Sequence, residues 1–427
     1  MRQDIILVLY YQKENIYSFN ALIGAIETIN ELDDIKVYFI REKVDLIKSL
    51  KEFCKKFNKI IVGISFFTTQ LWEIYDLVKK LRKEFKNKIF LLAGGPHPTG
   101  DPRGTLKMGF DLVAVGEAEE TLIDILKKFK KKEKLLDIKG TAFLDNNKEY
   151  NFGGKRPVVE LDRYPPIPLK SVKFGAIEIT RGCPYICYFC QTPHILGSYP
   201  RHRSIESICR IVKFMKKYNK LDIRFITPNA FSYGSSDGKK LNLTALENLL
   251  VEIKKIISPR GRIFLGSFPS EVRPEHVNER TLDLVLKYAA NDNIIIGAQS
   301  GSQKVLDLCH RGHTIQDVYK AVELTIDSKL KANVDFIFGL PHETEEDIDL
   351  TIEVIKDLVN IGARIHTHSF IPLPQTAFSK MSVKKLDKKL RVMIQELNSK
   401  GIAYGDWKKQ EILALKIADY LKSDRFS

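Results

Sequence analysis

Short apolar runs alternate with amphipathic stretches along the first 130 residues of the chain. The runs have the length of buried strands, and the stretches between them, such as residues 71–85, repeat apolar residues at helical spacing. Alternating strands and helices predict a doubly wound parallel sheet, because the crossover helices cover both faces of the sheet. The predicted strands are residues 5–10, 35–40, 60–65, 89–93 and 112–115.

The alternation stops between residues 131 and 174. Residues 145–148 read Asp-Asn-Asn-Lys and predict a turn between two short strand-like pieces. Residues 164–169 contain three prolines and must be extended, because proline and the residue before it disfavour helix. We therefore predict a linker made of a hairpin and a proline-rich strap.

From residue 175 the alternation resumes and predicts a partial (β/α)6 barrel, with catalytic groups at the C-terminal ends of its strands. The predicted strands are residues 176–180, 223–227, 263–266, 294–297, 334–338 and 365–370. The predicted helices lie near residues 204–217, 243–256, 276–289, 314–328 and 345–359. Beyond residue 380 two basic helices are expected, near 384–398 and 407–422. The expected domains are residues 1–130, a linker of 131–174, a barrel of 175–380 and an extension of 381–427.

Composition and charge narrow the class of protein. The chain has 427 residues, of which 44% are hydrophobic and 28% charged, as in globular proteins. Its net charge of +15 is compatible with a nucleic-acid partner, and equally with a lysine- and glutamate-rich sequence adapted to heat. The first apolar run is too short for a signal peptide or a membrane span. A cytoplasmic protein with no membrane partner is expected.

Three of the six cysteines are clustered, and this cluster is the main chemical signal. Cys183, Cys187 and Cys190 directly follow the first predicted barrel strand. Three thiolates can ligate a [4Fe–4S] cluster and leave one iron with an exchangeable position. The alternative is a structural zinc with His194 as fourth ligand, but the loop lies where active sites of barrels belong. The scattered cysteines, which we expect to be packed in helices, are Cys54, Cys209 and Cys309.

The clustered cysteines, with Phe189 before the last of them, resemble the signature of radical S-adenosylmethionine (SAM) enzymes. Three later segments resemble the same family in the same order: residues 296–314, 336–347 and 370–376. One difference is His342, which stands where the family usually has glycine in Gly-Leu-Pro-Gly-Glu-Thr. The first domain resembles the cobalamin-binding domain that precedes many of these enzymes, in residues 62–65, 93–99 and 109–121.

The radical SAM resemblance implies a role for each matching residue. Cys183, Cys187 and Cys190 would ligate the [4Fe–4S] cluster, and SAM would chelate the remaining iron. One electron would cleave SAM to methionine and a 5′-deoxyadenosyl radical. The residues expected around SAM are Phe189, Gln299, Ser300, Gly339 and Leu340. Weaker candidates are Asn229, Glu271 and Arg273; Arg273 would pair with the SAM carboxylate, or else form a surface salt bridge.

The cobalamin resemblance implies contacts in the first domain as well. Candidates for the nucleotide tail and the corrin edge are Ser65, Thr69, Gly94, Gly95 and Gly116, although turn chemistry alone explains such residues equally well. The loop after the first strand lacks the Asp-x-His-x-x-Gly motif of cobalamin mutases and methionine synthase. Cobalt would therefore have no histidine ligand from this loop. His97 is expected to be a loop histidine and not a ligand.

The family implies a cobalamin-dependent radical SAM enzyme, most plausibly a methyltransferase acting on an unreactive carbon. Its electron donor would be a ferredoxin or flavodoxin; the substrate is not indicated. One alternative is a methylthiotransferase acting on tRNA or a ribosomal protein, which needs three further N-terminal cysteines, whereas only Cys54 precedes Cys183. Another alternative is a non-catalytic nucleic-acid-binding module that folds around a metal.

Overall fold

Strands and helices alternate through both parts of the computed structural model, which describes residues 3–423. The chain divides into two units, with the boundary between Gly175 and Ala176. Each unit is built on parallel strands joined by helices, as the alternating sequence pattern predicts.

The first unit contains a seven-stranded sheet of order β2-β1-β3-β4-β5-β6-β7. Strands β1 to β5 are parallel, and β6 and β7 are antiparallel at the edge. This confirms the predicted doubly wound sheet. Its strands are β1 Gln3–Tyr10, β2 Lys36–Ile40, β3 Phe57–Ser65, β4 Phe90–Gly94, β5 Leu112–Ala114, β6 Thr141–Leu144 and β7 Tyr150–Phe152. Its helices are α1 Ile16–Ile26, α2 Lys43–Lys56, α3 Leu71–Phe85, α4 Pro96–Gly100, α5 Pro102–Lys107 and α6 Glu119–Lys131.

Burial on both faces explains why the central strands are continuously apolar. Ile6, Leu7, Val8 and Leu9 follow one another in β1, and each is at most 1% exposed. Helices on both faces require this pattern, since neither side of the strand meets water. The strand order reverses at β1, so the loops that follow β1 and β3 diverge. A crevice for a ligand forms at such a point, outside the C-terminal strand ends.

The segment between residues 131 and 174 extends the first sheet. Its hairpin pairs with β5 through Val113 and Ala142, so it forms the edge of the sheet and belongs to the first unit. The proline-rich strap packs closely on α1, where a Cβ added to Gly24 would lie 2.4 Å from the carbonyl oxygen of Pro165. The predicted hairpin and strap are therefore present, as parts of one folded unit.

The second unit contains a partial barrel of parallel strands. One sheet has the order β12-β11-β8, another the order β13-β14-β15-β16, and a parallel bridge between Val272 and Ile296 joins them. The strands, including the small pair β9–β10, are β8 Ile177–Glu178, β9 Thr180–Arg181, β10 Arg201–His202, β11 Asp222–Ile226, β12 Arg262–Phe264, β13 Asn293–Gln299, β14 Lys331–Phe338, β15 Arg364–Ser369 and β16 Ala403–Tyr404. The helices are α7 Thr192–Leu196, α8 Ile205–Lys217, α9 Leu243–Ile257, α10 Glu279–Tyr288, α11 Gln303–Leu308, α12 Ile315–Asp327, α13 Glu345–Ile361, α14 Lys388–Ser399 and α15 Trp407–Lys422.

The C-terminal extension completes one edge of this barrel. Besides the two predicted helices it contributes the short strand β16, which pairs with β15. Trp407 at the start of α15 is 2% exposed, and its carbonyl oxygen accepts a hydrogen bond from Ser369 Oγ at 2.8 Å. The strand was not predicted, because two residues are too few to show any periodicity.

The close approach of β16 to β15 yields a stability prediction. A Cβ at Gly405 would lie 2.3 Å from the carbonyl oxygen of Thr367, whereas one at Gly401 meets nothing within 4 Å; both glycines have positive φ. We expect Gly405→Ala to destabilise the second unit by about 3 kcal/mol and Gly401→Ala by about 1 kcal/mol. Urea unfolding followed by Trp407 fluorescence, in a Trp72→Phe background, measures both. Equal losses would show that the tight contact is absent.

Candidate active site

The loop that carries the clustered cysteines is held tightly at the end of the first barrel strand. Gly182 has φ of +87°, and a Cβ there would lie 2.0 Å from the carbonyl oxygen of Tyr199. The backbone N–H of Cys183 donates to the carbonyl of Gly197 at 3.1 Å, and that of Cys190 donates to Cys187 at 2.9 Å. Only glycine fits at residue 182, so the sharp turn that presents the thiols depends on it.

The three thiols are all free of disulfides; Cys187 is buried, and Cys183 and Cys190 are partly buried. Desolvation raises the pKa of Cys183 and that of Cys190, and the charge of Cys187 raises both further. Such thiols resist ionisation without a cation, whereas a bound metal takes thiolates directly. This unlinked, largely desolvated group therefore fits a metal cluster with three protein ligands.

Arg311 places a positive charge against this group. Its Nη1 donates to Cys187 Sγ at 3.7 Å, and its Nη2 donates to the carbonyl oxygen of Gly297 at 2.8 Å. A Cβ at Gly297 would lie 2.7 Å from that Nη2, so the glycine makes room for the guanidinium. No role for Arg311 follows from local sequence patterns. Its only signal was its place in the family-like segment 296–314.

Gln299 and Ser300 lie at the C-terminal end of β13, on the same side as Arg311. A register shift between Gly297 and Gln299 interrupts the strand, and Gln299 has φ of +75°. Ser300 is 1% exposed, and its Oγ accepts a hydrogen bond from the N–H of Ser302 at 3.2 Å. A left-handed backbone costs a non-glycine residue free energy, and such conformations concentrate at functional sites. Their contacts with SAM remain predictions.

Gly339 and Leu340 lie in the turn that follows β14. Leu340 belongs to a buried apolar cluster, against which Phe189 packs, so two predicted SAM-binding residues lie together. Gly339 has φ of +74° and His342 has φ of +70°. The left-handed backbone at His342 explains why the family usually has glycine there. Burial raises the pKa of the neighbouring Glu343 to about 8, a carboxyl that the sequence did not single out.

Arg273 forms the salt bridge considered as its alternative role, with Glu275, but the arginine is buried and not at the surface. Its guanidinium lies over the Tyr185 ring, 3.3 Å from the centroid. It also donates to the Glu275 carboxylate and to the carbonyl oxygen of Arg311. These contacts tie it to the cysteine loop and to Arg311. A contact between Arg273 and the SAM carboxylate remains a prediction.

Of the other two weaker candidates, Asn229 is buried in the barrel and Glu271 is exposed. Asn229 Oδ1 accepts a hydrogen bond from the N–H of Arg273 at 3.3 Å, and its Nδ2 lies 2.6 Å from His276 Nδ1. Partial desolvation of Glu271, together with the nearby Asp335, raises the pKa of its carboxyl to about 7. A contact of either residue with SAM remains a prediction.

In the first unit, most of the predicted cobalamin-binding residues lie at the C-terminal edge of the sheet. Ser65 ends β3, Gly94 ends β4, and Gly95 follows with φ of +97°. A Cβ at Gly95 would lie 2.6 Å from Ser65 Oγ, so glycine lets the two strand ends meet. Gly116 follows β5 with open space beside it, and Thr69 is exposed. The arrangement fits a nucleotide-like ligand at this edge, and turn chemistry still explains it equally.

His97 is enclosed within the first unit. Its side chain is fully buried, its Nδ1 lies 3.1 Å from Thr68 Oγ1, and its ring stacks on Phe66. Burial lowers the pKa of His97 to about 4, so the ring is neutral at physiological pH. His97 lies in helix α4 and not in a loop as predicted, and these contacts explain it by packing.

Comparison with known protein families agrees with this geometry. Residues 177–355 match the Radical SAM superfamily, and residues 26–126 match the B12 binding domain. The chain therefore carries a radical SAM domain preceded by a cobalamin-binding domain. The predicted family is thus confirmed, and with it the prediction of a radical SAM enzyme. The alternative of a non-catalytic metal-binding module has no support in these matches.

Individual relatives are distant but cover most of the chain. An uncharacterized methyltransferase of Pyrococcus horikoshii is 26% identical over 344 residues, which cover 77% of this chain and 71% of the relative. Among solved structures, the radical SAM methyltransferase TsrM from Kitasatospora setae, with cobalamin and a [4Fe–4S] cluster, has a TM-score of 0.66 and 16% identity. That match covers 89% of this chain and 77% of TsrM.

A second solved structure shares this fold within a longer chain. The cobalamin-dependent SAM radical enzyme OxsB has a TM-score of 0.63 and 20% identity over 83% of this chain and 52% of its own length. At these identities the likeness establishes the fold only. Among residues 3–423, no helix is both long and apolar enough to cross a membrane.

The contact between Arg311 and Cys187 yields a prediction about the cluster. A positive charge favours the more negative, reduced state, so Arg311→Gln should lower the reduction potential on the order of 50 mV, about 1 kcal/mol for one electron. Arg311→Lys should recover part of the shift. Potentiometric titration followed by electron paramagnetic resonance (EPR) measures it.

The matched control is Arg262→Gln, which removes an exposed arginine paired with Asp222 elsewhere in the same unit. This control should leave the potential unchanged. An unchanged or higher potential in Arg311→Gln, with full iron content, would contradict the assigned contact.

Proposed function

We propose that the protein is a cobalamin-dependent radical SAM methyltransferase that methylates an unreactive carbon. The observation that carries this proposal is the group of three free thiols after β9, with the Arg311 guanidinium against the buried Cys187. Three protein ligands leave one iron of a [4Fe–4S] cluster available to SAM. The match of residues 26–126 to the B12 binding domain supports cobalamin as the second cofactor.

When bound, the cluster, SAM and cobalamin would supply the electron transfer, the radical and the methyl group. The protein would supply position and exclusion of water. Cys183, Cys187 and Cys190 would hold the cluster, while Phe189 and Leu340 would present an apolar surface to SAM. Gln299 and Ser300 would contribute polar contacts from the end of β13.

Methyl transfer is supported by the names of two similar proteins. The relative from Pyrococcus horikoshii and the structural neighbour TsrM are both named methyltransferases. OxsB, with a comparable TM-score, is named only as a cobalamin-dependent radical enzyme, so the fold is compatible with other outcomes.

In the first unit, Ser65, Gly94, Gly95 and Gly116 would lie against the nucleotide tail of cobalamin. The loop after β1 contains no histidine, so cobalt would receive no such ligand from it. We further propose a ferredoxin or flavodoxin as electron donor. The net charge of +15 would favour such a donor electrostatically if its surface is acidic.

Methylthiotransferase activity is the second candidate. A tRNA-2-methylthio-N(6)-dimethylallyladenosine synthase of Petrotoga mobilis is 28% identical over 292 residues, covering 65% of this chain and 62% of that enzyme. Methylthiotransferases are expected to have three further cysteines before the barrel, which hold a second cluster. Only Cys54 precedes Cys183, so this activity is disfavoured.

Reductive SAM cleavage tests the proposed function. The anaerobically reconstituted full chain, given dithionite and SAM, should be brown and should release 5′-deoxyadenosine. Cys187→Ala should abolish the release, because two thiolates do not retain a SAM-binding cluster. The matched control is Cys209→Ala, a helical cysteine in the same unit, which should retain activity.

Cobalamin provides an independent readout on the same preparations. Cys187→Ala should still retain added cobalamin, since its domain does not include the cysteine loop. A fully iron-loaded protein that releases no 5′-deoxyadenosine would contradict a radical enzyme. Loss of cobalamin from every preparation would contradict the cobalamin-dependent part alone.

A further inference from the structure

Three potential ligand atoms converge inside the second unit, away from the cysteine loop in sequence. Asp335 Oδ1 lies 3.0 Å from His366 Nδ1, and His368 Nε2 lies 3.1 Å from the same Nδ1. All three atoms lie within 4.8 Å of one another. Neither the local sequence pattern nor the family resemblance implies a function for these residues.

The sheet fixes this arrangement. Asp335 on β14 and His366 on β15 are register partners on adjacent parallel strands. His368 lies two residues further along β15, so its side chain projects from the same face as His366. Ligands on two paired strands are held more rigidly than ligands on loops, and a metal site requires such fixed geometry.

The three atoms have few hydrogens to share. His366 Nδ1 faces a carboxylate oxygen and a second ring nitrogen, yet it carries at most one hydrogen. If it donates to Asp335, it offers nothing to His368; if it accepts from His368, its lone pair faces the carboxylate. A cation placed among the three atoms would attract all of their lone pairs at once.

The distances also fit a common ion. Ligands at about 2.1 Å from one metal ion lie roughly 3.0–3.4 Å apart at octahedral or tetrahedral angles. The two short separations, 3.0 and 3.1 Å, fall in this range. Two imidazoles and one carboxylate suit first-row divalent transition metals and leave further positions open.

Neighbouring side chains hold the two rings. Tyr404 stacks on His366, with ring centroids 4.5 Å apart and an angle of 9°. Gln410 Nε2 lies 3.4 Å from His368 Nδ1, at the long limit of a hydrogen bond, so it does not fix the tautomer of that ring. The rings are therefore oriented by packing, and Nε2 of His368 remains available as a ligand.

The three residues share a face with the proposed active site. Gly297, Asp335, His366 and Tyr404 are consecutive register partners across β13 to β16. Arg311 lies at the position that a Gly297 side chain would occupy. An ion at the triad would therefore lie on the same sheet face as Arg311, where its open positions could take oxygen or nitrogen donors of a small ligand.

We propose that Asp335, His366 and His368 form a binding site for a divalent first-row transition-metal ion, separate from the cysteine cluster. The site does not depend on the proposed reaction. The same three side chains could otherwise form a metal-free hydrogen-bonded cluster, and the experiment below distinguishes the two.

The test is a titration of the full chain with Co(II), in a variant whose three clustered cysteines are replaced by alanine. This background removes competing thiolates and any cluster, so the outcome is independent of the proposed function. We expect one Co(II) per chain, with weak visible bands typical of nitrogen and oxygen ligands and no intense thiolate band. Asp335→Asn and His368→Ala should each weaken binding at least tenfold.

The matched control is His310→Ala, which removes an exposed histidine of the same unit and should leave the affinity unchanged. Asp335→Asn preserves the side-chain shape, and circular dichroism verifies that each variant is folded. Absence of stoichiometric Co(II) binding, or binding that persists in both triad variants, would overturn the proposal.

Discussion

The tight turn that presents three free thiols is the constraint on which the active-site geometry depends. A Cβ at Gly182 would lie 2.0 Å from the carbonyl oxygen of Tyr199, so no larger residue fits at this turn. Thiolates at this loop need positive charge, which Arg311 supplies in part at Cys187. Arg311 in turn needs the missing side chain of Gly297. Gly182, directly after β9, and Gly297 on β13 thus determine where a cluster can form and which charge it meets.

A glycine also permits a close approach of backbone segments at the C-terminal edge of the first sheet. Gly95 lets the ends of β3 and β4 approach, and this leaves the carboxyl edge accessible to a ligand. Both units thus present their functional candidates at C-terminal strand ends, where parallel sheets leave loops free to vary. Each unit therefore has its candidate ligand-binding residues at the C-terminal ends of parallel strands. This arrangement suits an enzyme that binds one cofactor in each unit.

Local sequence patterns predicted the features whose determining residues are close together in the sequence. The periodic apolar runs predicted the sheet and the barrel, because burial on both faces leaves a direct signature. The cysteine spacing indicated the metal site for the same reason, since its ligands are close in sequence. Arg311, by contrast, meets Cys187 only through folding. Asp335 and His366 become neighbours through strand register, which no single segment of sequence encodes.

Other differences between the sequence-based predictions and the structure concern the backbone conformation. The positive φ of His342 appears in no local pattern, because histidine rarely adopts it; only comparison with the glycine of the family hinted at it. The short strand β16 was missed because two residues show no periodicity. It nevertheless places Tyr404 on His366 and so shapes the interior of the barrel.

The most direct test of the account is the EPR spectrum of the reduced, reconstituted protein with and without SAM. If three cysteines hold a [4Fe–4S] cluster with one open iron, the reduced protein should show a spin-½ cluster signal whose g values shift when SAM binds. A signal that SAM leaves unchanged, or a colourless protein that contains zinc in place of iron, would contradict the central claim.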